Sequence, residues 1–293
     1  MNTEKIHQLR EPENELHMLI QHLVEKFKPM RIYSFHKIRK TEQRSGCFTS
    51  GMDYIHDHHF LLMIMESSTR NEHEVQDFCR TKFNVGKITI LSHGIETINE
   101  SIVKKNRFFT HILKHGQLLY NQSGLLNFVS EMTRDIDQDH IKAKKHFTHR
   151  IKLAQGFLYT AGECYHGEHL ELSIFLLHQT VEQLTIGLLR VNLGYRSDIH
   201  HLGRQLDLCS CFLPEASDMF RTTSEDNRLF DILLKSYSQV RYKDGYEVDF
   251  DDAGRLKAKV EDLFKLTRHV CEQKISELEN NLLLGMESEV SVE

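Results

Sequence analysis

The chain of 293 residues contains no tryptophan, three prolines and six cysteines. With so few prolines, long helices can run without interruption. No cysteines form a CxxC pair, which indicates reduced thiols rather than a disulfide framework, and Cys209 with Cys211 is a weak metal or redox signal. The longest apolar run, residues 60–65, is far shorter than the roughly 20 residues of a membrane span. The amino terminus has charges in place of a secretory signal. We therefore expect a cytoplasmic protein with no membrane contact.

The chain also lacks an excess of positive charge. It has 37 Lys and Arg against 42 Asp and Glu, a net charge of −5, so any contact with nucleic acid needs a local basic patch. A hydrophobic content of 40% is sufficient for a packed core. The 20 histidines raise the hypothesis of metal or acid–base chemistry, with solvated helix faces as the alternative.

The first 120 residues alternate between helical and strand patterns. Hydrophobic periodicity predicts the following order: a helix over 13–27, a strand over 31–35, a polar loop over 37–50, a strand over 54–65, a helix over 72–82, a strand over 87–91 and mostly helix over 95–120. The fully apolar end of the second strand is typical of a central strand. This order predicts a small α/β module.

Strand signals largely stop after residue 124. Helical periodicity follows over 139–164, 170–193, 202–213 (broken), 226–240 and 253–279. Gly194 is placed to cap the second of these helices. The predicted fold class is therefore α+β, with a mixed-sheet domain over 1–124, an all-α up-and-down bundle over 136–280 and a flexible acidic tail over 281–293.

Three motifs in the second half carry a family resemblance. Gln179 and Glu182 lie in the segment FLLHQTVEQL, His200 and Leu202 follow in a turn, and Arg241, Tyr242 and Tyr246 come late. Over roughly residues 138–275 this resembles the HEPN domain, with its hxxQAxE, THxL and ARYxxxY patterns. The resemblance implies a helical bundle, nucleotide or RNA as the ligand and pairing into a homodimer.

The first half is similar to the nucleotidyltransferase modules that are often fused ahead of such bundles. A later FF…I…G…LY signature, matched over residues 108–120, supports that alignment. The family's Gly-Ser turn, which holds nucleotide phosphates, then falls on His36 and Lys37. Its Asp-x-Asp pair, which holds Mg²⁺, falls on Asp57 and His59.

The chemistry that this resemblance would require is missing from the sequence. Mg²⁺ prefers carboxylate oxygens, and His59 offers a nitrogen instead. His36 carries a ring where glycine would let the backbone approach phosphate. The predicted third strand, residues 87–91, contains no acid. We therefore expect a catalytically inactive module, with residual Mg²⁺-dependent transfer through Asp57 as an alternative.

Other clusters have competing interpretations. The His56–His59 run suggests Zn²⁺ but lacks a recognisable third ligand, so no metal site is predicted. Arg196 and His201 match the Arg-x4-His spacing of HEPN ribonucleases, although that motif usually lies nearer Arg241, so a metal-independent toxin-type ribonuclease is an alternative. The basic stretch that includes Lys37, Arg39, Lys40 and Arg44 suggests either phosphate contacts or a solvated loop.

The resulting hypothesis is a regulatory protein that binds a nucleotide or RNA. The predicted ligand-binding cleft is lined by Gln179, Glu182, His200, Arg241 and Tyr242. Arginine would hold phosphate and tyrosine would stack on a base. The alternative is structural, with Arg241 neutralising Glu182 inside the bundle. The sequence does not identify the nucleotide, for which ATP and GTP are examples.

Overall fold

A computed structural model describes residues 12–46, 49–67, 71–123 and 136–290. The first part contains α1 (Pro12–Phe27), β1 (Arg31–Gly46), β2 (Thr49–Met65), α2 (Glu72–Lys82), β3 (Gly86–Gly94), α3 (Ile95–Val103), α4 (Arg107–His115) and β4 (Gln117–Asn121). The second part contains α5 (Ile136–His166), α6 (Leu170–Leu188), a π-helical turn (Leu189–Leu193), α7 (Leu202–Cys209), α8 (Pro214–Arg221), α9 (Ser224–Tyr242) and α10 (Phe250–Val290).

The chain divides into two compact units. One contains the strands and helices up to β4, except Asn106–Phe108, and the other contains those three residues and the helices from α5 onwards. The predicted fold class, a small mixed sheet with helices followed by an all-helical region, is confirmed. The predicted domain bounds 1–124 and 136–280 stay predictions, because residues 124–135 lie outside the described part of the chain.

The sheet of the first unit has the strand order β3-β2-β1-β4. β1 is antiparallel to β2 and β4, whereas β2 and β3 are parallel. Residues 60–64 of β2 are buried on both faces, as the apolar run predicted for a central strand. The helices α1 and α2 form one core with this sheet through Leu19, Leu23, Leu61, Met63, Val75, Cys79 and Ile90.

Two predictions about the sheet are wrong. Residues 37–46 of the predicted loop are not a loop, because β1 continues to Gly46 and pairs with β2, which begins at Thr49; residues 47 and 48 lie outside the described part of the chain. Cross-strand hydrogen bonds stabilise this polar part without the apolar alternation that would identify it in sequence. Residues 117–120 were predicted as part of a mostly helical segment. They belong instead to β4, which pairs with the start of β1. Gly116 precedes it, and a Cβ there would lie 2.6 Å from the carbonyl oxygen of Ile112.

The helical unit is built around α6. The face predicted from periodicity is buried, with Ile174, Leu177, Val181, Leu184 and Leu188 at most 1% exposed. Gly194 ends the π-helical turn with φ of +74°, and its N–H donates to the carbonyl oxygen of Arg190, so the predicted glycine cap is confirmed. Leu170–Leu193 has the length and composition of a candidate membrane span, but 67% of its apolar window is buried inside the protein, as in a core helix.

Two boundaries in the helical unit differ from the prediction. The broken helix predicted over 202–213 is α7, which ends at Cys209, followed by a turn; α8 begins after it with Pro214 in its first turn, where proline is tolerated. α10 continues to Val290, so most of the segment predicted as a flexible tail from residue 281 has a helical backbone. Acidic residues do not by themselves end a helix, and no glycine cap or proline stops this one before Val290.

Candidate functional site

In the first unit, Asp57 is held by two cations from the neighbouring strand. β1 places Arg39 directly opposite Asp57, and Nε and Nη2 of Arg39 donate to its two carboxylate oxygens at 2.8 Å each. Nζ of Lys37 lies 2.9 Å from Oδ2. The carboxylate itself is completely buried. Hydrogen bonds from Arg39 and then Lys37 hold the pKa of Asp57 well below its usual range, so it is ionised at neutral pH.

His59 shares the face of β2 with Asp57, as strand alternation predicted. Its Nε2 lies 3.9 Å from Oδ2 of Asp57 and has no hydrogen-bond partner within the described part of the chain. Burial, followed by the charge of Lys37, lowers the pKa of His59. A neutral imidazole therefore stands beside a carboxylate that is already fully paired.

His36 and Lys37 lie in a continuous strand rather than in a turn. The register of β1 against β2 shifts between Ser34 and His36, which marks a bulge at that point. The His36 ring packs edge-on against Phe60, and burial lowers its pKa. Lys37 was predicted as a solvated loop lysine or a phosphate contact, and its partner is instead Asp57. The basic stretch is therefore part of the hairpin and is partly neutralised from within.

The remaining histidines of the 56–59 run also have local roles. His56 is exposed, and Nε2 of His58 lies 2.8 Å from the hydroxyl of Thr89. The His58 ring packs 4.0 Å from the centroid of Phe60. Within the described ranges, no group of three or more His, Cys, Asp or Glu side chains has a geometry that could hold a metal ion.

In the helical unit, Glu182 and His200 contact each other. Oε1 of Glu182 on α6 lies 3.0 Å from Nδ1 of His200 in the loop before α7. The suggestion that Arg241 neutralises Glu182 is therefore wrong. The loop before α7 places His200 beside α6, so Glu182 pairs with His200 and not with Arg241. This pair fixes the loop to the bundle, while the His200 side chain remains 79% exposed.

Arg241 lies instead among aromatic rings at the end of α9. Its guanidinium carbon is 4.1 Å from the ring centroid of Tyr237, 5.0 Å from that of Tyr242 and 6.0 Å from that of Phe175. Its Nε donates to the carbonyl oxygen of Tyr237 at 2.7 Å. Tyr242 is 79% exposed and Tyr237 is 40% exposed. A positive charge stacked on exposed rings is a surface that suits a nucleobase and its phosphate.

His178 connects this aromatic surface to the predicted α6 motif. Its ring stacks on Tyr237 with centroids 5.1 Å apart, and the Gln179 amide nitrogen lies 3.3 Å from its Nδ1. Burial lowers the pKa of His178 to about 4, with the charges of His201 and Arg241 adding to the effect. His178 and Tyr237 were missed as site residues. The available signal was a histidine beside Gln179 on an otherwise apolar face.

The predicted cleft is thus only partly assembled. Gln179, Arg241 and Tyr242 meet around His178 and Tyr237, whereas Glu182 and His200 form a separate pair. We name the first group, consisting of His178, Gln179, Tyr237, Arg241 and Tyr242, the aromatic cleft.

The Arg-x4-His match does not form a joint site. Arg196 lies 3.6 Å from the carboxylate of Asp198, and both side chains are exposed. His201 is the N-cap of α7, where its Nδ1 accepts the backbone N–H of Arg204 at 3.4 Å. The two histidines of this segment thus have structural contacts, with His201 as the N-cap of α7 and His200 paired with Glu182 of α6.

Comparison with known families supports the predicted helical domain. Residues 147–270 match the HEPN domain, which covers most of α5 and continues into α10. The match includes every residue of the aromatic cleft. No curated protein matches the chain. The mixed sheet of the first unit is consistent with a nucleotidyltransferase-like fold, and that likeness stays a prediction.

Proposed function

We propose, starting from the HEPN match over residues 147–270, that this protein is a regulatory protein that binds RNA through the aromatic cleft. The observation that supports the proposal most directly is the position of Arg241 over the rings of Tyr237 and Tyr242. Side chains of this kind bind a single-stranded nucleotide from two directions, because the rings stack on the base and the guanidinium contacts phosphate. A free nucleotide such as ATP or GTP offers the same two groups.

The chemistry of the cleft favours binding over cleavage. A metal-independent ribonuclease needs a side chain that takes up and releases a proton near neutral pH. With a pKa of about 4, His178 is neutral at pH 7 and is a weak base. His201 is occupied as a helix cap, and Arg196 lies beside Asp198. These contacts support a binding role for the helical unit.

We also propose that the first unit is an inactive relative of nucleotidyltransferases. Asp57 is the one acid at the predicted metal-binding positions, and both of its oxygens already accept hydrogen bonds from Arg39 or lie within ion-pair distance of Lys37. A Mg²⁺ ion would have to displace two cations from a buried carboxylate. The protein's own cations therefore occupy the place that the metal would need.

Pairing of two helical units into a homodimer belongs to the same proposal. Leu153 and Tyr159 on α5 and Leu172 on α6 leave apolar surface exposed. Light scattering across a concentration series measures the oligomeric state, and a monomer at high concentration would remove this part of the proposal.

Fluorescence anisotropy with a labelled oligoribonucleotide tests the RNA-binding proposal. Stacking on an aromatic side chain contributes about 1–3 kcal/mol per base, so Tyr242→Ala should weaken binding by about five- to 150-fold. Arg241→Ala should weaken it as well. The matched control is Arg268→Ala, because Arg268 is exposed on α10 and pairs with Glu272, away from the aromatic cleft in sequence.

A parallel thermal-shift series with ATP and GTP, with and without Mg²⁺, separates RNA from free nucleotide as the ligand. Absence of RNA binding by the wild type would contradict the RNA proposal. Incorporation of labelled ATP that requires Mg²⁺ and Asp57 would contradict the inactive-module proposal.

A further inference from the structure

The middle of α5, after Asp139, has an uneven charge distribution. Residues 140–162 include five Lys and Arg and three His but no Asp or Glu. At 1.5 Å per residue, the charged part from His140 to Lys152 extends along about 18 Å of helix. The side chains that face the core on this helix are small, with Ala143, Ala154 and Ala161 at most 3% exposed, so the long basic side chains are left on the outer surface.

A groove runs along this outer surface. It has a volume of about 630 Å³, and its basic lining residues include Lys144, Lys145, His149 and Lys152. Ile141 and Thr148 line it between these side chains, and Glu279 is the one acidic residue among the lining residues. Glu279 lies 3.5 Å from Nζ of Lys144. Most of the side chains that line the groove are therefore basic.

Two arginines from another segment extend this positive surface. Arg190 lies in the π-helical turn, and Arg196 lies in the loop that follows it, where its exposed side chain is 3.6 Å from the carboxylate of Asp198. Burial, followed by the charges of Arg196 and Arg150, lowers the pKa of Arg190. His146 responds in the same way to burial and to Arg190, Arg150 and Lys145, which together lower its pKa. Several cations from α5 and the π-helical turn are thus close enough to repel one another.

The helix α10 in the same unit shows that this arrangement is not typical of the bundle surface. Each of its six Lys and Arg residues has a carboxylate partner, as in Arg255–Glu225, Lys257–Glu261, Lys259–Asp226, Lys265–Asp262, Arg268–Glu272 and Lys274–Glu277. On α5, Lys144 is the one Lys or Arg that has a carboxylate partner among the described residues. Nη1 of Arg150 donates to the amide oxygen of Gln183, and its Nε has no partner within the described ranges.

We propose that this surface, formed by Lys144, Lys145, His149, Lys152, Arg190 and Arg196 and here named the α5 cationic surface, binds the phosphate backbone of single-stranded RNA. Concentrated like charge destabilises a folded protein unless a ligand of opposite sign relieves it. A linear polyanion matches a row of cations along a helix, and arginine forks hold phosphate bidentately. An acidic protein partner would also need pockets for apolar anchors, and Ile141 is the one aliphatic residue among those that line the groove.

This inference rests on the proposed function and adds a second surface to it. The aromatic cleft would hold a base, whereas the α5 cationic surface would hold backbone phosphates without selecting sequence. RNA binding should therefore depend strongly on salt, and part of that dependence should come from α5.

The test measures binding of a labelled oligoribonucleotide to the full chain over a range of salt concentrations. Lys145→Glu with Lys152→Glu should weaken binding at least tenfold. It should also lower the slope of log K against log salt by about 0.7 for each phosphate that the variant no longer neutralises. Lys145→Gln with Lys152→Gln, which adds no negative charge, should lower the affinity and the slope in the same direction but by less. Both residues are exposed, and circular dichroism checks that the variants fold.

The matched control is Lys265→Glu with Arg268→Glu on α10, which also reverses two exposed cations. It should bind RNA like the wild type. If the α5 variant also binds with unchanged affinity and slope while Tyr242→Ala weakens binding, the inference is wrong and the proposed function stands. If the wild type binds no RNA, both fail. If polyglutamate competes as well as RNA does, the surface belongs to an acidic protein partner and the inference is again wrong.

Discussion

Asp57 and His178 are both buried ionisable side chains, one in each unit, and burial has opposite outcomes for their charge. Asp57 stays charged because Arg39 and Lys37 reach it from the adjacent strand. His178 is neutral because burial disfavours its charged form, and the charges of His201 and Arg241 lower its pKa further. A buried group therefore stays ionised where partners of opposite charge offset the cost of burial, as they do for Asp57 and not for His178.

The same contrast separates the two units at a larger scale. In the sheet, Asp57 is neutralised by the protein's own cations, Arg39 and Lys37. In the helical unit, Arg241 and the α5 cationic surface lie near few acids and retain their attraction for an external anion. The first arrangement favours stability, whereas the second favours binding. Three substitutions should expose this difference, with effects that decrease from the first to the third.

The largest effect is expected from His178→Gln on the pH dependence of stability. The pKa of His178 is lowered from 6.5 to about 4 in the folded protein, so the unfolded chain binds its proton more readily between these values. Stability should therefore fall as the pH drops from about 6.5 to 4, by on the order of 3 kcal/mol for this residue. The variant should lose that part of the slope.

Urea unfolding at a series of pH values, followed by circular dichroism, measures this slope. His200→Gln is the matched control, because His200 is largely exposed. If His178→Gln kept the full slope, the neutral state of the buried imidazole would be refuted.

Asp57→Asn should have the next largest effect. It removes the charge that Arg39 and Lys37 hold and should lower the free energy of unfolding by about 2 kcal/mol at pH 7. This loss is below the usual range for a broken buried pair because both cations can turn towards water. The pKa of Asp57 is depressed in the fold, so its contribution is present above pH 4 and declines as the pH falls further.

Denaturant titrations of Asp57→Asn and wild type at pH 7 and pH 3 should therefore show a difference that narrows at the lower pH. Asp262→Asn, on the exposed face of α10, serves as the control. A pH-independent difference would mean that packing, and not the ion pair, stabilises this part of the sheet.

The smallest effect is expected on the melting temperature, from substitutions of two exposed lysines. Lys265→Ala on α10 removes a favourable pair with Asp262 and should lower the melting temperature slightly. Lys145→Ala on α5 relieves repulsion and should leave it unchanged or raise it, by less than about 2 °C in either case. Calorimetry at low salt resolves the opposite signs, and high salt should reduce both shifts. Equal decreases at the two positions would contradict the proposed imbalance of charge on α5.

The helical unit was more predictable from sequence than the sheet. The apolar positions of α6 repeat at helical spacing, and the motif around Gln179 and Arg241 identified the HEPN likeness that the comparison supports. The polar half of β1 was missed because its stability comes from pairing with a partner strand and not from its own pattern. His178 and Tyr237 were missed because they are 59 positions apart in sequence and meet only when α6 packs against α9.

The order of residues by itself determined the periodic helices, the buried central strand and the glycine cap at Gly194, since each depends on neighbours within a few positions. Only the tertiary structure decided which charges meet: that Arg39 and Lys37 enclose Asp57, that Glu182 contacts His200 and not Arg241, and that Arg190 joins the cations of α5. The physical reason is that Coulomb interactions and hydrogen bonds depend on distance in space, and distance in space is set by how strands pair and helices pack.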